Sequence, residues 1–331
     1  MPRLPRPSRP AWLQRRPPEP EPPPAVPGRE PRILATRGAP MPFSKGRMAQ
    51  ALVLAGADPE RAYQLALRIE RAVAATAADE IPIDDLHGLV EDVLAREEGQ
   101  DLVSRYHGWR EVLRLDRPLM LLIGGATGTG KSTLATEIAY RLGISRITST
   151  DVIRQAMRAF FAQELMPELH YSSFDAAEGL KIPLPDPDDE DRALYGFIQQ
   201  AGQVAVGANA VVERAVLEGL STVVEGVHVV PGLVTAEQHA GAVVVQLMLS
   251  ISDEESHQAH FFRRGTDSGG LRAMERYLKR FGEIRRIQEY LVARAEKQGW
   301  PVIEAADPDQ ALLAVMDLIL ERATARAAAV P

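Results

Sequence analysis

Cysteine is absent from all 331 residues, which excludes disulfides and thiolate metal sites and suits a reducing cytoplasm. Long apolar runs are missing as well. The two longest, around 242–251 and 311–320, are too short to span a bilayer, and no signal-peptide core precedes them. Excess positive charge is lacking: 38 Lys and Arg face 45 Asp and Glu, a net charge of −7. With aromatics at 5% and no basic aromatic stripe, partnership with nucleic acid or an anionic membrane is not expected. Any anionic small molecule must then be held by a few placed cations.

What is present is an ordinary globular composition, 45% hydrophobic, enough for one large domain or two ordinary ones. Residues 1–31 are the exception. Pro22, Pro23 and Pro24 and scattered arginines leave nothing to build a core with, so the composition predicts a disordered tail. Residues 32–114 read as a small helical module. Met48, Ala51 and Leu52 mark one helix over 45–54, and Asp58-Pro59 caps a second running through Val73. Leu86, Leu89, Val90 and Val93 form the stripe of a third, and 102–113 makes a fourth. None of these residues looks catalytic.

From 115 to 331 the pattern becomes α/β. Strands are predicted at 119–123, 146–149, 222–225, 242–250 and 301–305 with helices between them, including one long helix over 271–298 and a closing one over 311–323. The fold class this implies is a doubly wound parallel sheet, with ligands at the carboxyl ends of its strands. No internal repeat is visible, and the oligomeric state is left open.

The strongest chemical signal is Gly125-Ala126-Thr127-Gly128-Thr129-Gly130-Lys131-Ser132, which satisfies G-x-x-x-x-G-K-[ST] directly after a predicted strand. Glycines let successive N–H groups curl around a polyphosphate, and the following helix adds the positive end of its dipole. This segment, through Thr133, is the expected ATP site; Lys131 reaches the β and γ phosphates and Ser132 ligates Mg²⁺. At the end of the second strand stand Asp151 and Arg154. Asp151 either orients an acceptor hydroxyl and takes its proton or caps the next helix, and both can hold; Arg154 either grips an acidic substrate or is solvated. The third strand delivers Glu225, a second candidate Mg²⁺ carboxylate, followed by Gly226 and by His228, which contacts substrate or is structural. His170, Ser172 and Ser173 belong either to an acceptor pocket or to a surface turn. Beyond the fourth strand, His257, His260, Arg263 and Arg264 precede the glycine-containing stretch 265–270, as a lid with a hinge would. Its arginines suit the charge of a transferring phosphoryl group, unless the segment is simply an exposed basic face. The H-x-x-H spacing lacks a third ligand for a metal.

Taken together, residues 124–154, the run Glu225-Gly226-Val227-His228-Val229-Val230-Pro231-Gly232 and the His–Arg lid resemble the 2-phosphoglycerate kinase family. The resemblance covers almost everything after residue 32. It implies a P-loop NTPase kinase domain preceded by an ATP-cone-like module, which residues 32–114 resemble, including Pro42-Phe43-Ser44-Lys45. Ala35 and Thr36 stand where such cones carry a Lys-Arg pair, so the module is expected to be structural or interacting. The implied reaction moves the γ-phosphoryl group of ATP to the free hydroxyl of 2-phosphoglycerate, giving 2,3-bisphosphoglycerate. Two alternatives stay open: a kinase for another phosphorylated polyol such as an inositol phosphate, and an ATP-binding regulator without an acceptor.

Overall fold

Uninterrupted apolar runs can be strands only if both faces of the sheet are covered, and the computed structural model bears this out. It describes residues 32–34, 40–76, 78–114, 117–180, 189–236, 241–268 and 271–328. Five strands, β4 (Leu119–Gly125), β5 (Ile147–Ser149), β6 (Thr222–Gly226), β7 (Val243–Ser250) and β8 (Val302–Glu304), pair in the order β5-β6-β4-β7-β8. Every pairing is parallel. Side-chain alternation along β4 divides the core. Leu121 and Ile123 pack into one apolar cluster with α5 (Lys131–Leu142) and α11 (Pro308–Ala328). Met120 and Leu122 face the other, built on α7 (Asp189–Leu217) and α10 (Phe281–Lys297).

The central place of β4 matters for function. Its neighbours β6 and β7 lie on opposite sides, so the loop leaving β4 emerges where the strand order reverses, the crevice in which doubly wound sheets bind ligands. Register pairs Ile123 with Glu225 and Glu225 with Ser149, which gathers three strand ends along one edge. From β5 the chain passes directly into α6 (Thr150–Phe160), capped by the Ser149 hydroxyl accepting from the Asp151 N–H at 3.3 Å.

The amino-terminal module contains α1 (Lys45–Leu54), α2 (Pro59–Ala75), α3 (Ile83–Glu97) and α4 (Gln100–Arg114). Asp58 caps α2 through the N–H groups of Glu60 and Arg61, with Pro59 at the first helical position. Three short strands were not anticipated: β1 (Arg32–Leu34), β2 (Met41–Pro42) and β3 (Glu80–Pro82), joined in the order β2-β1-β3. At two or three residues each they are too short to display alternation. The module's core is continuous with one face of the large sheet, since Leu52, Leu65, Tyr106 and Trp109 belong to the same cluster as Leu121, Val245 and Ile319.

Two helical expectations change. The span read as one helix over 271–298 is α9 (Leu271–Lys279) and α10, broken at Arg280, whose ψ of 22° departs from helical geometry. The closing helix is longer at both ends than predicted. After β7 comes α8 (Glu254–Ser268). The tail 1–31, Ala35, Thr36 and the glycines at 269–270 lie outside the described residues. Among the described residues no helix is long and apolar enough to cross a membrane.

A candidate phosphate-transfer site

The loop between β4 and α5 turns through positive φ at Gly125, Gly128 and Gly130. Gly128 shows why: at φ +91°, an added Cβ would sit 2.6 Å from the Phe261 ring. Inside the turn, Thr129 Oγ1 donates to the Ala126 carbonyl at 3.0 Å, and Lys131 Nζ reaches the same carbonyl at 2.7 Å. The Lys131 side chain is therefore buried in the loop, with its ammonium on backbone oxygen. Gly130, Ser132 and Thr133 are exposed, so the first turn of α5 opens to solvent at its dipole-positive end.

Ser132 Oγ donates to Glu225 Oε1 at 3.0 Å, although the two residues are 93 apart in sequence. Glu225 is only 4% exposed at the end of β6. This all-oxygen pair fits a hard cation. Octahedral Mg²⁺ takes oxygens at about 2.0–2.1 Å, which puts adjacent ligands roughly 3 Å apart, the spacing seen here. Among the described residues there is no cluster of three His, Asp or Glu side chains that could hold a metal unaided, so phosphate oxygens and water would have to complete any such shell.

Next to Glu225, Gly226 is pressed against α6: at φ +146°, a Cβ there would lie 1.8 Å from Thr150 Oγ1. Thr150 Oγ1 bonds His228 Nδ1 at 3.0 Å, and His228 Nε2 bonds Gln200 Oε1 at 2.9 Å. Gln200 Nε2 in turn donates to the carbonyls of Glu168 at 2.5 Å and Tyr171 at 3.1 Å. With an amide oxygen on one side and a hydroxyl on the other, His228 is a neutral imidazole carrying its proton on Nε2. Burial pushes its pKa down to about 4. At 0% exposure with both nitrogens engaged, it holds β6, α6 and α7 together and offers nothing to a substrate. Expectation and geometry part here.

Arg154 also departs from the free anion grip envisaged for it. Its guanidinium is buried, Nη1 donates to the Leu169 and Tyr171 carbonyls at 2.9 Å each, and Nε lies 3.6 Å from Asp151 Oδ1. Asp151 itself stays 66% exposed at the head of α6, beside the Ser149–Glu225 pairing. Of the acceptor-pocket candidates, His170 Nε2 bonds the Phe161 carbonyl at 3.0 Å, Ser173 is buried and Ser172 is half-buried. Segment 167–180 is fastened from the other side by Asp175, whose buried carboxylate meets Arg276 Nη2 at 2.5 Å and Arg280 Nε at 2.9 Å. Phe174 packs edge-on against Tyr277 with centroids 5.7 Å apart.

Helix α8, where a lid was expected, joins the loop directly. His257 Nε2 lies 2.8 Å from the Thr127 carbonyl, and the ring stacks on Phe261 at 5.4 Å. Phe261 stacks in turn on Tyr277 at 5.1 Å. Desolvation lowers the His257 pKa, opposed by its bond to Thr127. Arg263 and Arg264 fall within α8, and their side chains lie outside the described residues. Sequence reasoning missed Gln200, Asp175, Arg276 and Arg280 altogether. It also placed His257 in a mobile lid rather than on the loop. No local pattern announces any of these contacts.

Comparisons with known proteins agree with this layout. Residues 31–113 match the ATP cone domain model. The chain is 41% identical over 266 residues to a 2-phosphoglycerate kinase of Methanothermobacter thermautotrophicus, covering 80% of this chain and 86% of that one. A 2-phosphoglycerate kinase of Methanopyrus kandleri is 38% identical, covering 88% of both chains, and one of Thermococcus kodakarensis is 38% identical over 83% and 92%. Identity at that level along nearly the whole length, on a parallel sheet with a phosphate loop at its switch point, makes this chain a small-molecule kinase that belongs to the 2-phosphoglycerate kinase family.

Proposed function

We propose that the chain transfers the γ-phosphoryl group of ATP to the free hydroxyl of 2-phosphoglycerate, giving 2,3-bisphosphoglycerate and ADP. The observation that carries this reading is the meeting at one sheet edge of the glycine loop, the Ser132–Glu225 oxygen pair and the exposed carboxylate of Asp151. Residues 125–133 cradle the triphosphate, and Lys131 moves from the Ala126 carbonyl to the phosphates. Ser132 and Glu225 would hold Mg²⁺, which when bound neutralises charge across the β and γ phosphates.

Asp151 orients the acceptor hydroxyl and accepts its proton as the oxygen bonds to Pγ and the bond from Pγ to the bridging oxygen breaks, with that oxygen leaving on ADP. Arg154, His170 and His228 order the acceptor segment rather than touch the acceptor. Arg263 and Arg264 stabilise charge on the transferring phosphoryl group, and half-buried Ser172 offers the acceptor a hydroxyl partner. Those lid arginines also exclude water, which limits wasteful hydrolysis. A cysteine-free composition suits work in the cytoplasm.

The relatives' names do not favour the inositol phosphate or regulator alternatives. The test is Mg-ATP with 2-phosphoglycerate, 3-phosphoglycerate, glycerate and inositol phosphates, with phosphorylated product identified by mass. Product from 2-phosphoglycerate is expected, and a drop of about 10²–10³-fold in Lys131→Ala, with an unchanged circular dichroism spectrum and melting temperature as the check that the fold is kept. Product from inositol phosphates alone, or none from any acceptor, would replace the proposal with one of its rivals.

A further inference from the structure

The contact between α8 and the phosphate loop is more than packing. Asp253 starts α8, its Oδ2 accepting from the Ser256 N–H at 2.7 Å and its carbonyl accepting from the His257 N–H at 3.0 Å, which sets His257 in the first turn. There it is fully buried, with Phe261 stacked on one side and Phe281 edge-on at 5.4 Å. A carbonyl can only accept, so the ring nitrogen facing Thr127 carries the proton. The other nitrogen, Nδ1, is buried with no hydrogen-bond partner among the described residues. A residue kept here for packing alone would be better apolar, since an unmatched buried acceptor costs stability.

The bond has a stereochemical consequence. In a trans peptide the C=O and the following N–H point in opposite directions. With the Thr127 carbonyl drawn onto α8, the Gly128 N–H must point away from α8. The Ala126 carbonyl is likewise tied, by Thr129 Oγ1 at 3.0 Å. Two successive carbonyls that could face and repel a polyphosphate are therefore fastened elsewhere. Phe261, one turn beyond His257, closes on Gly128 so tightly that only glycine fits, which keeps the peptide from flipping back.

We propose that His257 is a positioning residue for phosphoryl transfer: its Nε2–H holds the Thr127 carbonyl against α8 and so aims the Gly128 amide at the polyphosphate. This rests on reading residues 125–133 as the triphosphate cradle. It also makes the first turn of α8 a fixed anchor, with Arg263 and Arg264 further along the same helix.

The test uses the full chain and three proteins: wild type, His257→Phe, which keeps the aromatic stack and loses the donor, and His257→Gln, whose amide Nε2 can reach the same carbonyl. Binding of Mg²⁺ with a non-hydrolysable ATP analogue is measured by calorimetry, and KM for ATP and for the acceptor by initial rates. His257→Phe should bind the analogue about 10-fold more weakly and raise KM for ATP about as much, the loss of one hydrogen bond. Its acceptor KM should stay within about 2-fold and its melting temperature should not fall, while His257→Gln should recover to within about 3-fold. Wild-type affinity in His257→Phe, or equal impairment in the Phe and Gln variants, would overturn the assignment. Should His257→Phe not fold, His257→Asn, whose amide is too short to reach, replaces it in the comparison with His257→Gln and must bind more weakly. Failure of the wild-type chain to bind the analogue would overturn the cradle itself, a result distinct from unchanged binding in the variants.

Discussion

At the scale of single residues, Gly226 is the most constrained position of the site. Rotating Thr150 cannot make room for a methyl group, because Thr150 Cβ, which the rotation leaves in place, would still lie 2.9 Å from it, and φ is +146°. Gly226→Ala should therefore push α6 off β6, break the Thr150–His228 bond and cost at least about 2–4 kcal/mol, read as a lower urea midpoint. Buried histidines give stability a defined pH dependence. Desolvation holds His87 and His228 down at about 4, against an ordinary value of 6.5. Between those values the unfolded chain binds protons that the native chain refuses, so stability rises with pH in that window. Urea midpoints should hold level above about pH 6.5 and fall as the pH drops toward 4, and His228→Gln should shallow the decline. A flat profile from pH 7.5 to 5 would contradict this. The loop and Glu225 could be read in sequence because each lies at or just past the end of an apolar strand, and Asp151 because it follows a strand of the same sheet. His228 could not be judged there, since its burial depends on Gln200, which reaches it from α7, 28 residues away.

At the scale of elements, the break between α9 and α10 sits where Arg280 leaves the helix to share Asp175 with Arg276 and to reach Glu178 at 2.9 Å. This clasp fastens segment 167–180 to the junction of α9 and α10. Asp175→Asn removes the buried negative charge while two half-exposed guanidiniums remain, so the cost should be about 1–3 kcal/mol, below that of a fully buried pair. The direct readout is limited trypsin digestion. Cleavage after Arg276 and Arg280 should accelerate several-fold over wild type, with nucleotide affinity unchanged; unaltered cleavage would mean the clasp does not hold the α9–α10 junction. The central strands β4, β6 and β7 were legible as elements because burial on both faces makes their sequences largely apolar. The helix break was not, because the stripe of Met274, Leu278, Phe281 and Ile284 keeps its period across Arg280 while the clasp partner stands 105 residues earlier. Nor could β1, β2 and β3 be found, being held by pairing across distant segments rather than by their own composition.

At the scale of the molecule, sequence pattern separates a helical module from an α/β unit, whereas the apolar core runs across both. Helices α4 and α11 are each predicted from sequence, but neither pattern says which partner covers it. In the fold they cover each other. Gly108 of α4 lies so close to α11 that an added Cβ would be 3.0 Å from Leu320 Cδ1, and Arg105 Nη2 meets Asp317 Oδ1 at 2.6 Å beside it. The ion pair is exposed and worth at most about 1 kcal/mol, so the apolar contact carries the junction. A shared core predicts shared cooperativity: calorimetry of the intact chain should give one unfolding transition rather than two. Gly108→Trp drives an indole into Leu320, far more than the yielding of that leucine tip can absorb, and should cost about 1–3 kcal/mol as overpacking. If the core is one unit, that substitution, made in the amino-terminal module, lowers the entire transition and moves thermal loss of kinase activity down with it. A module transition that shifts alone, with the activity midpoint unmoved, would show instead that the two parts melt independently and that their contact is only adjacency.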